Sequence, residues 1–220
     1  MILDADSIQF VHEQIDGKQS QYLYSYLPDS PPIASLAIGS SPRNPPTPET
    51  LVENHEFMKI LQWVIKDNAV NDPDVIASAA MFQSQAGAAL GSGGAFFPRQ
   101  QKDRMGRSKR QYGGGGGAGG DGAGGASAQG GMGGAGRGGF IHVSDQRNPP
   151  DFGRVAWPED ILGSLELDGE GKFVDGNGRY QESGTYRIMT NDGILGLSPY
   201  LQGKVVERLK ELDAQARKNS

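Results

Sequence analysis

Two residues in the second half of the chain, His142 and Asp145, have types and a spacing that suit acid–base chemistry. In an H-x-x-D pattern a carboxylate orients an imidazole, which then serves as a general base or, with another ligand, holds a metal. A serine hydrolase also needs an exposed nucleophile, but the chain contains no G-x-S-x-G sequence. Ser198 precedes Pro199, which is typical of a helix N-cap. A small hydrolase or transferase using His142 and Asp145 is therefore an alternative function, and no residue is assigned as catalytic.

Other chemical signatures fail in the detail of their spacing. Asp168, Glu170, Asp175 and Asn177 are calcium-ligand types, but a loop starting at Asp175 has Tyr186 at the twelfth position, where a bidentate Glu is needed. Cysteine is absent, which excludes thiolate metal ligands and cysteine nucleophiles. Matches to G-x-G-x-x-G inside a glycine-rich tract are inevitable there, and no G-x-x-x-x-G-K-S/T sequence occurs. The sequence predicts neither a metal nor a cofactor.

A loop over residues 148–160 combines paired prolines with residue types that are enriched in binding hot spots. The prolines lower the entropy cost of holding the loop in one shape. One interpretation is a protein-binding surface; the other is that the tryptophan of this loop plugs the top of a small core. The candidate protein-binding residues are Arg147, Phe152, Arg154 and Trp157.

A basic segment at residues 99–112 stands out in an otherwise acidic chain. It carries six cations and one acid, whereas residues 1–98 have a net charge of −7 and residues 140–220 a net charge of −3. Such a segment can contact phosphates, be recognised by a nuclear import receptor, or be a solvated arm. Weak nucleic-acid binding through residues 99–110 is thus a second alternative function. Its cations are Arg99, Lys102, Arg104, Arg107, Lys109 and Arg110.

Residues 113–139 contain 17 glycines in 27 residues and almost no apolar side chain. Because glycine loses the most backbone freedom on ordering, the tract is expected to stay disordered. The chain therefore divides into an N-terminal part (1–98), a basic and Gly-rich insertion (99–139) and a C-terminal part (140–220). Each structured part is small, so we expect both to pack together as one composite domain.

Apolar spacing and turn residues predict the elements that position these groups. Two helices are expected in the N-terminal part, one capped by Thr47 and one after Pro73, and a helix after Ser198 has Leu201 and Leu209 on its apolar stripe. Residues 7–15 fit either a helix or a strand. Residues 22–27 and 35–40 read as strands, and 140–143 as a strand that needs a partner, for which 22–27 is a candidate. Turn residues over 161–197 predict an antiparallel meander.

These patterns predict an α+β fold: a helical hairpin and a small antiparallel β-meander capped by a C-terminal helix. No apolar run reaches membrane-spanning length, and the first residues, MILDADS, are unlike a secretory signal or a mitochondrial presequence. The leading functional prediction is a non-enzymatic intracellular protein of the interaction, adaptor or assembly class. We expect it in the cytoplasm, with the nucleus as a further compartment, and we expect a protein partner and no membrane.

Overall fold

The computed structural model describes residues 10–16, 19–28, 33–92, 138–150 and 154–219. The insertion predicted at 99–139 lies outside these ranges apart from Gly138 and Gly139, so its disorder stays a prediction. No helix within the described ranges combines the length and apolarity needed to cross a membrane. The elements in chain order are β1 (Phe10–Asp16), β2 (Gln19–Ser25), β3 (Gly39–Ser41), β4 (Val52–Glu53), α1 (His55–Asn68), α2 (Pro73–Ser92), β5 (Gly139–Ser144), β6 (Ile161–Leu167), β7 (Gln181–Glu182), β8 (Met189–Thr190), β9 (Gly193–Ile194) and α3 (Pro199–Asn219).

The first sheet is antiparallel and has the strand order β1-β2-β3-β4. Residues 10–15 of the segment that fitted either a helix or a strand lie in β1, which pairs with β2 along its whole length, and residues 7–9 lie outside the described residues. The predicted pairing of 22–27 with 35–40 is confirmed only in part: residues 22–24 pair with 39–41, with Tyr24 opposite Gly39, whereas residues 34–36 form a 3-10 turn and not a strand. A side chain at Gly39 would place its Cβ 2.6 Å from the Val52 carbonyl oxygen, so only glycine lets β3 and β4 approach this closely.

The second sheet has the order β5-β6-β7, also antiparallel, and β8 and β9 form a separate hairpin. The prediction that 140–143 pairs with 22–27 is wrong. Strand β5 pairs instead with β6, and Ile141 lies opposite Leu165 with both side chains buried. Pairing with β6 is favoured because it places the side chains of Ile141 and Leu165 in the core.

The first helix begins later than the sequence suggests, so the prediction of Thr47 as its N-cap is wrong. Thr47 accepts hydrogen bonds from the backbone N–H groups of Thr50 and Leu51 in a turn, and β4 follows. Asn54 caps α1 instead: its Oδ1 accepts from the Glu56 N–H, while its Nδ2 donates to three carbonyl groups of residues 34–37. The helix begins after Asn54 because its side chain bonds both the first turn of α1 and the loop over residues 34–37, whereas Thr47 would bond only the helix.

The start and the buried stripe of the C-terminal helix agree with their sequence prediction. Ser198 Oγ accepts from the Leu201 N–H at 3.2 Å and donates to Asp72 Oδ2 at 2.6 Å. Leu201 and Leu209 are buried, and α3 packs against α1. The fold is α+β, with helices, antiparallel sheets and this terminal helix around the core.

Side chains from both sides of the insertion share one apolar core. Polar contacts also connect the two parts. Gln62 of α1 donates to the Leu162 carbonyl at 3.1 Å and accepts from the Tyr180 hydroxyl at 2.6 Å, while Glu53 Oε1 accepts from the Ile188 N–H at 3.1 Å. These contacts are those that a composite domain would make, and its cooperative folding stays a prediction.

Leu209 and Lys210 test how α3 is oriented. Leu209 is fully buried, whereas Lys210 is exposed. We expect Leu209→Ala to lower the free energy of unfolding by about 2–5 kcal/mol, because it removes buried methyl groups and leaves a cavity. Lys210→Ala is the matched control and should change it by less than about 0.5 kcal/mol in a urea titration. Equal and small effects would show that α3 does not bury this face.

Candidate functional site

The guanidinium of Arg147, just after β5, lies inside the protein and bonds to three other segments. Its side chain is 3% exposed. Nε donates to Asp160 Oδ1 at 2.7 Å, Nη1 donates to the carbonyls of Ile188 and Gly193, and Nη2 donates to the carbonyls of Glu159 and Arg187. All five N–H donors of an arginine are thereby used.

Two buried carboxylates lie beside this charge. The Asp160 carboxylate receives the Arg147 Nε bond, and its other oxygen, Oδ2, has no hydrogen-bond partner among the described residues. Asp145 Oδ2 lies 3.8 Å from Nε and accepts from the Tyr186 hydroxyl at 2.8 Å. Asp145 Oδ1 accepts from the N–H groups of Arg147 and Gly196. We call Arg147, Asp145, Asp160 and Tyr186 the Arg147 cluster.

Burial shifts the pKa of Asp145 and the pKa of Tyr186. It raises the pKa of Asp145, although the Arg147 charge and the bonds to the carboxylate act in the opposite direction. Burial and the neighbouring Asp145 carboxylate also raise the pKa of Tyr186 well above its ordinary range, so its hydroxyl stays a donor. The guanidinium lies 5.5 Å from the centre of the Tyr186 ring, which adds a cation–π contact.

The Arg147 cluster changes how the predicted binding residues are read. A partner cannot reach a guanidinium whose donors all bond within the chain, so we do not carry Arg147 forward as a contact residue. Sequence reasoning missed the structural roles of Asp145, Asp160 and Tyr186. The one local signal is Asp145, whose carboxylate bonds the backbone two residues on, as Asp side chains commonly do in turns.

Trp157 lies on backbone that the Arg147 cluster holds, but its own side chain projects into solvent. It is 69% exposed, so the interpretation that it plugs the core is wrong. The Asp160 N–H donates to the Trp157 carbonyl at 2.8 Å, which closes a 3-10 turn over Pro158–Asp160. Thr185 Oγ1 donates to the Pro158 carbonyl at 2.8 Å. The indole is thus exposed on a backbone that is fixed on several sides.

An open groove of about 660 Å³ lies beside this indole. It brings together the strand before α1, the turn after Trp157 and the segment before β8. We call it the Trp157 groove. Its lining residues are Glu53, Trp157, Pro158, Glu159, Gly184, Thr185, Tyr186 and Arg187.

The other predicted contact residues do not line this groove among the described residues. Arg154 is exposed and lines a separate cleft of about 120 Å³ near the start of α2, together with His142. Phe152 lies outside the described residues. So does the whole basic segment, and its nucleic-acid interpretation stays a prediction.

His142 and Asp145 make no described contact with each other. His142 Nδ1 lies 2.8 Å from Ser164 Oγ, its cross-strand neighbour on β6. Burial lowers the pKa of His142, which favours the neutral imidazole. Both Asp145 oxygens bond within the Arg147 cluster. His142 and Asp145 of the H-x-x-D sequence therefore have different hydrogen-bond partners, and the carboxylate does not orient the imidazole.

In the described ranges, no group of three or more His, Asp or Glu side chains lies close enough to hold a metal ion. Comparisons with protein-family models, with curated protein sequences and with solved structures find no match to this chain. The geometry of the chain is therefore the basis for a functional conclusion.

Proposed function

We propose that this chain is a non-enzymatic interaction protein, of the adaptor or assembly class, that binds a protein partner at the Trp157 groove. The observation that carries the proposal is the 69% exposure of Trp157 on a fixed backbone. Water contact with an indole is unfavourable, and a large exposed aromatic side chain beside a groove is typical of an interaction site.

The surroundings of Trp157 support binding for a second reason. Association costs less free energy when the contacting groups are already ordered. Hydrogen bonds from Asp160, Thr185 and Arg187 hold the backbone of residues 157–159 in the free protein. Binding of a partner to this surface therefore loses little free energy to ordering of the loop.

The compartment forms part of the same proposal. A chain without cysteine suits the cytoplasm, and the basic segment at 99–112 suits import into the nucleus. The partner is therefore sought among intracellular proteins.

Affinity purification with Trp157→Ala and Trp63→Ala variants tests the proposed surface. Trp63 is a matched control because it is also solvent-exposed, at 49%, but lies on α1 beside Arg208. We expect Trp157→Ala to lose the partners that the wild-type chain captures, whereas Trp63→Ala retains them. Trp157→Ala should unfold within about 0.5 kcal/mol of the wild type, whereas Trp63→Ala also loses the ring contact with Arg208 and should cost about 1–2 kcal/mol while staying folded. Retention of every partner by Trp157→Ala would exclude this surface.

The His142–Ser164 contact favours a second candidate, a small hydrolase. A neutral imidazole 2.8 Å from a hydroxyl is placed to accept its proton as the oxygen attacks an acyl carbon. The histidine would then protonate the leaving alcohol, and water would release the acyl group. On this hypothesis, Ser164→Ala abolishes hydrolysis of a short-chain ester and the control variant Ser183→Ala does not. Equal rates for both variants and the wild type would reject it.

A further inference from the structure

The Trp157 groove carries charged side chains that restrict which partner fits it. Glu159 and Arg187 are exposed, and neither forms an ion pair within the described residues. Glu53 Oε1 accepts a hydrogen bond from the Ile188 N–H. Glu53 also forms no ion pair within the described residues. Two carboxylates and one guanidinium therefore line the same groove as the indole.

We propose that the Trp157 groove binds an arginine-bearing peptide segment of the partner, with the arginine over the indole and between the two glutamates. This inference rests on the proposed function and names the partner chemistry at the same groove. A planar guanidinium stacks on an aromatic face and forms paired hydrogen bonds with carboxylates. The indole and the glutamates of the groove offer both kinds of contact.

Charge complementarity extends beyond the groove. The sequence on either side of the insertion is acidic, with net charges of −7 over residues 1–98 and −3 over residues 140–220. An acidic surface attracts cationic segments and speeds their association. Arg187 at the same groove disfavours a uniformly basic ligand and favours one that also carries an acid near its arginine. The partner segment therefore has mixed charge with an arginine as its anchor.

Gly184 provides a way to fill the groove without disturbing the fold. A Cβ added at this position meets no heavy atom within 4 Å, and the residue lines the groove. Gly203 on α3 has the same open surroundings away from the groove, so it supplies the matched control.

The experiment titrates the full-length chain carrying Trp63→Phe, in which Trp157 is the single tryptophan, with a synthetic peptide containing one arginine and one flanking acid. Trp157 fluorescence reports binding. We expect a saturable change that weakens with added salt and is absent for a peptide with glutamate in place of the arginine. Glu159→Gln should weaken binding about threefold to tenfold, and Gly184→Gln at least about tenfold, while Gly203→Gln has no effect.

Three results would overturn the inference. The first is no saturable signal, and the second is equal binding of the arginine and glutamate peptides. The third is an affinity that rises at least about tenfold when the six cations of 99–110 are changed to glutamine, because the chain's own basic segment would then be the occupant. If Trp157→Ala loses its captured partners although the arginine peptide does not bind, only the partner chemistry is wrong. If partner capture also survives Trp157→Ala, the proposed surface fails as well.

Discussion

A buried arginine needs every one of its donors and its charge satisfied, and this requirement organises the C-terminal part of the chain. Removing an unpaired ion from water costs several kcal/mol, so a guanidinium at 3% exposure persists only where the protein replaces its hydration. Arg147 meets that condition with Asp160, with four carbonyl groups and with the nearby Asp145. The acceptors come from three segments, 159–160, 187–188 and the turn at Gly193, which must therefore converge near the end of β5.

The exposed indole is a consequence of this convergence. Short strands such as β7, β8 and β9 contribute few ladder hydrogen bonds, so regular pairing alone leaves their connections weakly held. The Arg147 cluster joins those connections to the turn that follows Trp157. Hydrogen bonds hold the backbone of residues 157–159, and the indole of Trp157 is exposed to solvent beside the groove. A structural ion cluster and the proposed interaction surface thus share the same loop.

The sequence predicts correctly those structural roles that depend on neighbouring residues, and it misses those that depend on residues far along the chain. Ser198 and Pro199 act locally, and they located the start of α3. Thr47 is an equally good local cap, but Asn54 starts α1 because its side chain bonds carbonyls about twenty residues away. Arg147 reads as a surface residue for the same reason, since its acceptors lie 12 to 46 positions along the chain. The backbone next to Trp157 is held by those remote bonds, which no local pattern encodes.

Amide hydrogen exchange in the wild type and in Arg147→Lys tests most directly whether the guanidinium holds these segments together. Lysine keeps the charge but cannot replace the fork of five donors. The account predicts at least about tenfold faster exchange at the amides of Asp160, Arg187 and Leu195, with the amides around Leu209 in α3 still protected. Arg187→Lys, at the exposed neighbouring arginine, should leave all of these rates unchanged. Unchanged exchange at the three amides in Arg147→Lys would contradict the account.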